Sequence, residues 1–542
     1  MAPPAPPSPR PAQELPAAFR WAALLGLAAA VAAAYWGSLA APLLYDDHVW
    51  ITANPSIRSL WPPGPVLAPA VGPWVGGRPV VNLSLALNYA VGGDRPLGYH
   101  AANVAIHLLA ALALFGVARR TLDLLAERVP AERDRLLLAL AVSLLWAVHP
   151  IQTEAVTYVS ERSESLMGLF YLLTLYGFIR GARPGASRAW LPLSAASCLL
   201  GMATKEVMAT APLLVLAYDR TFVAGSAAAA LRLRPRYYGA LAASWVVLAW
   251  LCAGLRARGV GYGLGFTWWA YGLTQCWGIV HYLRLALVPH PLVFDYGVRG
   301  VGSALAALPW ALALAALAAA AWAAFRRRTL AGYAGAWVLG ILAPASSVIP
   351  VAFQPVAEHR MYLPLAGVVA LGVAGAWCWL GRRSLPLLGA AALALGALTC
   401  LRNADYRSEV SIWSDTVLRR PENPRARLAL GEALAREGRH PEAAQQFSEA
   451  IRIDPGDAQA RHDLGLALFR MGRAEEALAQ YRSIVAPSPD SASLHRDTAM
   501  ALERLGRLPE AAAEFARAAA IDPADPEARA GLARLGAPQP SR

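Results

Sequence analysis

The sequence predicts an all-α protein in two parts, a polytopic bundle of transmembrane helices followed by a solenoid of paired helices. Three observations carry this. Of the 542 residues, 56% are hydrophobic and only 16% charged, against about 25% charged in soluble domains. Apolar runs recur between residues 21 and 401, separated by short segments bearing Arg. Beyond residue 401 charges appear and a period of 34 residues sets in: Gly438, Gly472 and Gly506; Ala443, Ala477 and Ala511; Phe447, Tyr481 and Phe515; Pro455, Pro489 and Pro523. That period is the one of tetratricopeptide (TPR) helix–turn–helix repeats.

The tail 1–20 is rich in Pro and Ala near its start and is expected to be disordered. The run 21–41 follows Arg20 and is long enough to cross a bilayer, so it reads as an uncleaved signal anchor. Further spans are expected at 99–118, 135–148, 166–179, 190–203, 207–217, 237–255, 301–325, 330–348, 361–380 and 385–401, about eleven in all, within a membrane domain of residues 21–402. The runs 190–203 and 207–217 are short enough to form a re-entrant pair instead, which leaves the parity unchanged. Arg10 and Arg20, the group from Arg119 to Arg135, Arg180 to Arg188, Arg232 to Arg236, Arg326 to Arg328, and Arg382 with Arg383 all fall on one side if the N-terminus is cytoplasmic. An odd number of spans then puts the C-terminal region outside the cytoplasm. Residues 268–287 break this scheme if they span. Their Trp268, Trp269, Tyr271, Trp277 and Tyr282 suit an interfacial or re-entrant helix.

The net charge of +13 is accounted for by these Arg groups; no basic stripe with interleaved aromatics lies in a soluble segment, so nucleic acid is not an expected partner. The five cysteines lie in or beside apolar stretches without metal-ligand spacing and read as small core residues. In the repeat region, 403–536, the small residues allow close helix approach, the aromatics fill the core between repeats, and Pro ends each second helix. Trp413 and Pro421 continue the phase backwards, giving a half repeat, three full repeats and a terminal helix before the tail 537–542.

Charged residues within a membrane domain are costly and point to function. The first group is Tyr45-Asp46-Asp47-His48, just after the first span. Its acids can serve as general base or as ligands of a divalent metal, or can be solvated acids at a helix end. The second runs from His149 through Glu154 to Ser160-Glu161-Arg162-Ser163-Glu164, the third is Thr204-Lys205-Glu206, and the fourth is Glu358-His359-Arg360. By parity all four share the external face. Acids and cations gathered there suit an anionic substrate head, with Lys or Arg on phosphate and a carboxylate acting on a hydroxyl; ion pairing between loops is the structural alternative. Arg78 and Asn82 lie on the same side. His100, Asn103 and His107 form a helical stripe that lines a polar cleft or hydrogen-bonds between helices.

Taken together, YDDHVWITANP from Tyr45, RPVVNLSLALNY from Arg78, GYHAANVAIHLL from Gly98, HPIQTEAVTYVSERSE from His149, ATKEVMATAPLLVLAYD from Ala203 and VAEHRMYLP from Val356, with the repeats last, resemble the transmembrane and tetratricopeptide repeat-containing family of O-mannosyltransferases, of the GT-C glycosyltransferase class. The resemblance implies a GT-C-like helical fold with a membrane-facing active site. It implies a sugar donor linked to polyprenyl or dolichyl phosphate, with no certain cofactor beyond a possible divalent metal. Asp46 or Asp47 would then be the catalytic base. Lys205, Arg162 and Arg360 would contact the lipid phosphate, and Glu206, Glu154, Glu358, Arg78 and His100 complete the donor-binding set. The short repeat array departs from the longer arrays of animal members, and the Arg- and Ala-rich composition points to a GC-rich bacterium and its inner membrane. The function expected is transfer of a sugar, mannose first, to Ser or Thr of exported proteins that the repeats recruit. A lipid or polysaccharide acceptor, or a transporter with a docking array, are the rival readings.

Overall fold

The computed structural model describes residues 15–68, 76–252, 260–261, 267–297, 300–347, 349–351, 354–485 and 491–538. Residues 1–14 and 539–542 of the expected tails, the end of the 237–255 span, Val348 and Pro489 lie outside them. The chain divides into two units: Met1–Leu292 with Val298–Ser408, and Val293–Gly297 with Glu409–Arg542. The division falls a few residues beyond the composition change at 402, and it assigns five residues from the middle of the chain to the repeats.

The first unit is helical; among the described residues no sheet forms, only an isolated antiparallel bridge between Val260 and Val351. Its helices of eight or more residues are α1 (Ala17–Tyr35), α2 (Pro79–Gly92), α3 (Pro96–Leu124), α4 (Glu132–Ala147), α5 (Arg162–Gly181), α6 (Trp190–Met202), α7 (Ala211–Tyr218), α8 (Pro235–Leu251), α9 (Trp268–Leu287), α10 (Ala304–Arg326), α11 (Leu330–Leu342), α12 (Pro364–Leu380) and α13 (Ser384–Asp405). Proline opens α2, α3, α8 and α12, where its missing N–H has no partner to lose. Ser303 and Thr329 cap α10 and α11 with side-chain oxygens.

The chain is a multi-pass membrane protein by the length and apolarity of its helices. Four runs are long and apolar enough to cross a membrane: Ala17–Ala40, Pro96–Leu124, Ala304–Arg326 and Pro364–Asp405. Two bent pairs, Glu132–Ala147 with Pro150–Thr157 and Glu206–Val223 with Ala227–Leu233, raise the number to six. Gly381, at φ +54, divides the last long run into α12 and α13, with Arg382 and Arg383 at the turn. Several other expected spans coincide with short helices; α6 and α11 have 13 residues each and α7 has eight. The count of about eleven comes from the apolar runs, with Arg placement setting its orientation, and exceeds the four to six spans that helix length and apolarity give among the described residues. Residues 268–287 form one unbroken helix, α9, packed against α10.

Helices α3, α4 and α5 pack together, α1 and α13 pack on α4, and α12 lies against α4 and α11. Close approach needs small residues. At Gly168 on α5 a Cβ would fall 2.4 Å from the Tyr362 ring. Tyr362 in turn accepts or donates at His107 Nδ1, 2.9 Å away. An apolar cleft of about 220 Å³ is lined by the 114–129 end of α3 with α4, α5, α11 and α12. It lies along the ends of these helices opposite to the charged clusters.

The second unit is a run of antiparallel helix pairs: α14 (Glu409–Arg419), α15 (Pro424–Arg436), α16 (His440–Ile453), α17 (Ala458–Arg470), α18 (Ala474–Val485), α19 (Ala492–Arg504), α20 (Leu508–Ile521) and α21 (Pro526–Arg534). Asn423, Asp457, Ser491 and Asp525, again 34 apart, cap the first helix of each pair. Gly438, Gly472 and Gly506 all have φ between +74 and +84 and turn the chain between the two helices of a repeat. Phe447 and Tyr481 lie against Gly431 and Gly465, where a Cβ would meet the ring at 2.4 Å.

Candidate active site

The first group begins where α1 and a short 3-10 turn end. Tyr45 has φ +40, uncommon for a side chain of its size, and marks a sharp turn just before the two aspartates. Asp47 is fully buried. One of its oxygens accepts from the Leu44 amide at 3.0 Å and the other from the Ser160 amide at 2.7 Å. Burial pushes its pKa up to about 7 against the pull of those two amides, and the neighbouring Asp46 charge adds to the rise. Asp46 is half-buried and its own amide donates to the Tyr158 hydroxyl at 3.0 Å. The first and second groups are thus stitched together by backbone.

The second, third and fourth groups meet in one buried ionic cluster. Lys205 Nζ lies 2.5 Å from Glu164 and 3.4 Å from Glu161. His359 Nδ1 lies 2.8 Å from Glu154 Oε1 and 3.7 Å from Glu161, and the His359 amide donates to Glu154 Oε2 at 3.0 Å. Burial alone would raise the Glu161 pKa, but His359, Lys205 and Arg78 hold it down to about 2. Burial would lower the Lys205 and His359 pKa values, and the carboxylates beside them raise both.

The cations differ in how many donors remain. Arg162 Nε donates to Asn103 at 2.6 Å, Nη1 to Asn88 at 2.6 Å and Nη2 to the Tyr99 carbonyl at 2.9 Å, so this arginine ties α5 to α2 and α3. Arg360 clasps the carbonyls of Ala345 at 3.0 Å, Pro355 at 2.8 Å and Gln354. Both guanidiniums are engaged by protein acceptors, which sequence reasoning had no means of seeing. Arg78 is different. Among the described residues it makes one ion pair, to Glu206, long at 3.6 Å, and its buried Nε has no hydrogen-bond partner; it lies over the Trp50 ring at 5.8 Å. Among the described residues the Ser163 hydroxyl also lacks a partner, and buried His100 lies against the backbone of Ala41, Pro42 and Thr157. Glu358 is buried on the same short turn as His359. Along α3, Asn103 and His107 do hydrogen-bond between helices, to the Val156 and Ala147 carbonyls among others.

Glu161, Glu164 and His359 offer ligand atoms within 4.8 Å of one another, as a metal site would. The Lys205 ammonium already sits against both carboxylates, so the cluster's counter-charge is supplied by the chain. The Asp46–Asp47 pair fits a metal poorly, because both Asp47 oxygens accept backbone N–H groups. Glu161, Glu164 and His359 stand in the charged strings of the sequence without an individual role, and Tyr158 is not singled out there. One signal could have found the first two: Lys205 is the single lysine among 49 basic residues, and a buried lysine needs carboxylates.

Residues 401–458 and 462–526 match the tetratricopeptide repeat family. The protein O-mannosyl-transferase TMTC3 of Mus musculus is 30% identical over 185 residues, 32% of this chain and 18% of that protein. The chain is similar to the protein O-mannosyl-transferases. The Drosophila melanogaster protein O-mannosyl-transferase Tmtc3 is 27% identical over 514 residues, 77% of this chain and 54% of the relative. The chain thus spans about half the length of that relative and a smaller part of the mouse protein. Among solved structures, ArnT from Cupriavidus metallidurans bound to undecaprenyl phosphate aligns over 87% of this chain and 81% of its own, at 17% identity and a TM-score of 0.45, too low to assign a shared fold.

Proposed function

We propose that the chain is a glycosyltransferase that moves a sugar, mannose first, from a polyprenyl- or dolichyl-phosphate donor to Ser or Thr hydroxyls of exported proteins. It would act in a bacterial inner membrane, with the N-terminus cytoplasmic, the charged face and repeats outside, and the repeats recruiting acceptors. The observation that carries the reading is Arg78, a cation whose buried Nε has no partner among the described residues and whose charge acts on Lys205 and Glu161 in the ionic cluster. The similarity to O-mannosyl-transferases supports the same chemistry.

In this reading the acceptor oxygen attacks the anomeric carbon of the donor. The new C–O bond forms as the bond from that carbon to the phosphate oxygen breaks, and its electron pair leaves on the phosphate. Arg78 binds that phosphate, with Lys205 able to turn towards it from Glu161. Asp46, the more accessible acid of the pair, takes the hydroxyl proton; such a base contributes typically 10²–10⁴-fold. Asp47 holds the turn.

The test is transfer of labelled mannose from polyprenyl-phosphate mannose to peptides of exported proteins by the purified full chain. Asp46→Asn is expected to lower turnover by at least roughly a hundredfold with donor KM near normal, Arg78→Ala to raise the donor KM, and a chelator to leave the rate unchanged. Full transfer by Asp46→Asn would remove the base, and absence of transfer from any lipid-phosphate sugar by the wild type would remove the function.

A further inference from the structure

The repeat unit begins with an incomplete repeat. Helix α14 carries Trp413 at the position that Phe447, Tyr481 and Phe515 hold in later repeats, 34 residues apart. Phe447 and Tyr481 each lie against a glycine of the preceding helix in their own repeat, Gly431 and Gly465. Within its unit α14 has no preceding helix. Trp413 is nonetheless fully buried.

What lies against it is Phe294, edge-on at 5.1 Å. The rest of Val293–Gly297 is fastened equally closely. The Asp295 carboxylate takes both arms of Arg425, Nε at 2.5 Å and Nη2 at 2.6 Å, the planar fork that fits a carboxylate best. The Asn423 side chain donates to the Asp295 carbonyl at 3.1 Å while its oxygen caps α15. The Arg420 guanidinium lies over the Tyr296 ring at 5.0 Å. Gly297 has φ +77, and a Cβ there would meet the Asn423 side chain at 3.1 Å, so the segment closes on a residue that only glycine suits. The positions equivalent to Arg425 in the next two repeats are Gln459 and Ser493, which cannot make this contact.

We infer that Trp413, Arg420, Asn423 and Arg425 form a receptor for a Phe-Asp-Tyr-Gly turn, occupied in cis by Val293–Gly297, which stands in for the missing first helix of the half repeat and caps the array. Solenoids need such a terminal cap because the end repeat otherwise exposes its core face. The repeats therefore fold as a composite of two distant stretches of chain, and the stretch that supplies the cap is fixed whenever the array is folded. This inference does not depend on the enzymatic reading.

Hydrogen exchange of the full-length protein in detergent tests it. Arg425→Ala and Asp295→Ala should each speed exchange in 293–297 and in α14 by roughly tenfold or more, and the Asp295→Ala/Arg425→Ala pair should be no worse than either alone. A free Val-Phe-Asp-Tyr-Gly peptide, blocked at both ends, should restore protection of α14 in Asp295→Ala, and a scrambled peptide should not. Additive effects of the two substitutions, or exchange in α14 unchanged by Arg425→Ala, would overturn the inference. If Arg425→Ala lowers expression, Arg425→Lys keeps the charge without the fork and should give an intermediate rate; a wild-type rate there would count against the paired geometry.

Discussion

Asp47 and Asp46 are adjacent in sequence, yet the fold gives them different chemistry. Asp47 has both oxygens on backbone amides and a pKa near 7, well above the ordinary carboxylate value of about 3.9. A carboxyl with a raised folded pKa binds its proton more tightly folded than unfolded, so its effect on stability runs one way: stability falls as pH rises from about 4 to about 7 and is level on either side. Asp47→Asn should therefore melt lower than wild type at pH 4.5, because one amide loses its acceptor, at a cost of about 1–3 kcal/mol. The gap should narrow or close at pH 7.5, where the wild type carries a buried charge and the variant does not. Thermal melts of the solubilised protein at the two pH values measure this; a gap that widens with pH would mean that the carboxylate is better stabilised than burial and the Asp46 charge indicate. The difference between the two aspartates was not readable from the sequence, since it depends on where the amide of Ser160, more than a hundred residues away, is placed. The same holds for Arg162 and Arg360, whose partners are carbonyls and amides from other elements. By contrast, the tyrosine–aspartate string could be singled out from the sequence, because acids at the end of a membrane span have no anchoring role.

Four elements build the ionic cluster: the short helix Thr153–Thr157 with Glu154, the turn 159–161 running into α5, the turn before α7 and the short turn 358–361. Their meeting was legible as a set of polar strings that parity puts on one face. The pairing of Lys205 with Glu161 and Glu164 was not singled out, although acids three residues apart at a helix start share a face. Lys205→Met should strand the buried Glu164 carboxylate beside half-buried Glu161 and lower stability by roughly 3 kcal/mol. The Lys205→Met/Glu164→Gln pair should recover part of that loss in the same thermal melt, and no recovery would show that the lysine acts elsewhere. The repeats were the most legible element, because four columns at one period constrain both helices of each pair. The cap column Asn423, Asp457, Ser491 and Asp525 was in the sequence but went unread behind the glycine and aromatic columns. The membrane helices were less legible in length than in position: α7 and α11 are shorter than the apolar runs around them because the 3-10 helix Glu206–Thr210 and the turns beyond Leu342 take up residues that composition alone assigns to a span.

At the scale of the whole molecule, the placement of Arg decides which side each element faces. Arg119, Arg120, Arg128, Arg133 and Arg135 lie around the turn from α3 to α4, and Arg326 to Arg328 lie at the turn from α10 to α11. Arg382 and Arg383 mark the turn from α12 to α13. The charged strings Asp46–Asp47, Glu154–Glu164, Lys205–Glu206 and Glu358–Arg360 sit at the opposite ends of the same helices, and the ion pairs among the last three groups require that they share a side. Translocating a short loop rich in arginine is disfavoured relative to keeping it in the cytoplasm. The three Arg turns are therefore expected inside and the ionic cluster outside. The end of α13 follows α12 back across, so residues beyond Leu401 are expected outside as well. Fusions of a reporter that is active only outside the cytoplasm test this at three points. Fusion after Arg328 should be silent, fusion after Arg383 silent, and fusion after Leu401 active. Cysteine labelling at Asp94, in the polar turn between α2 and α3, supplies an independent readout, since an Asp94→Cys thiol should react with a membrane-impermeant reagent in intact cells. A silent reporter after Leu401 with an unlabelled Cys at 94 would invert the molecule. The ionic cluster would then face the cytoplasm, where an exported acceptor is not yet available, and recruitment of exported proteins by the repeats would have to be given up.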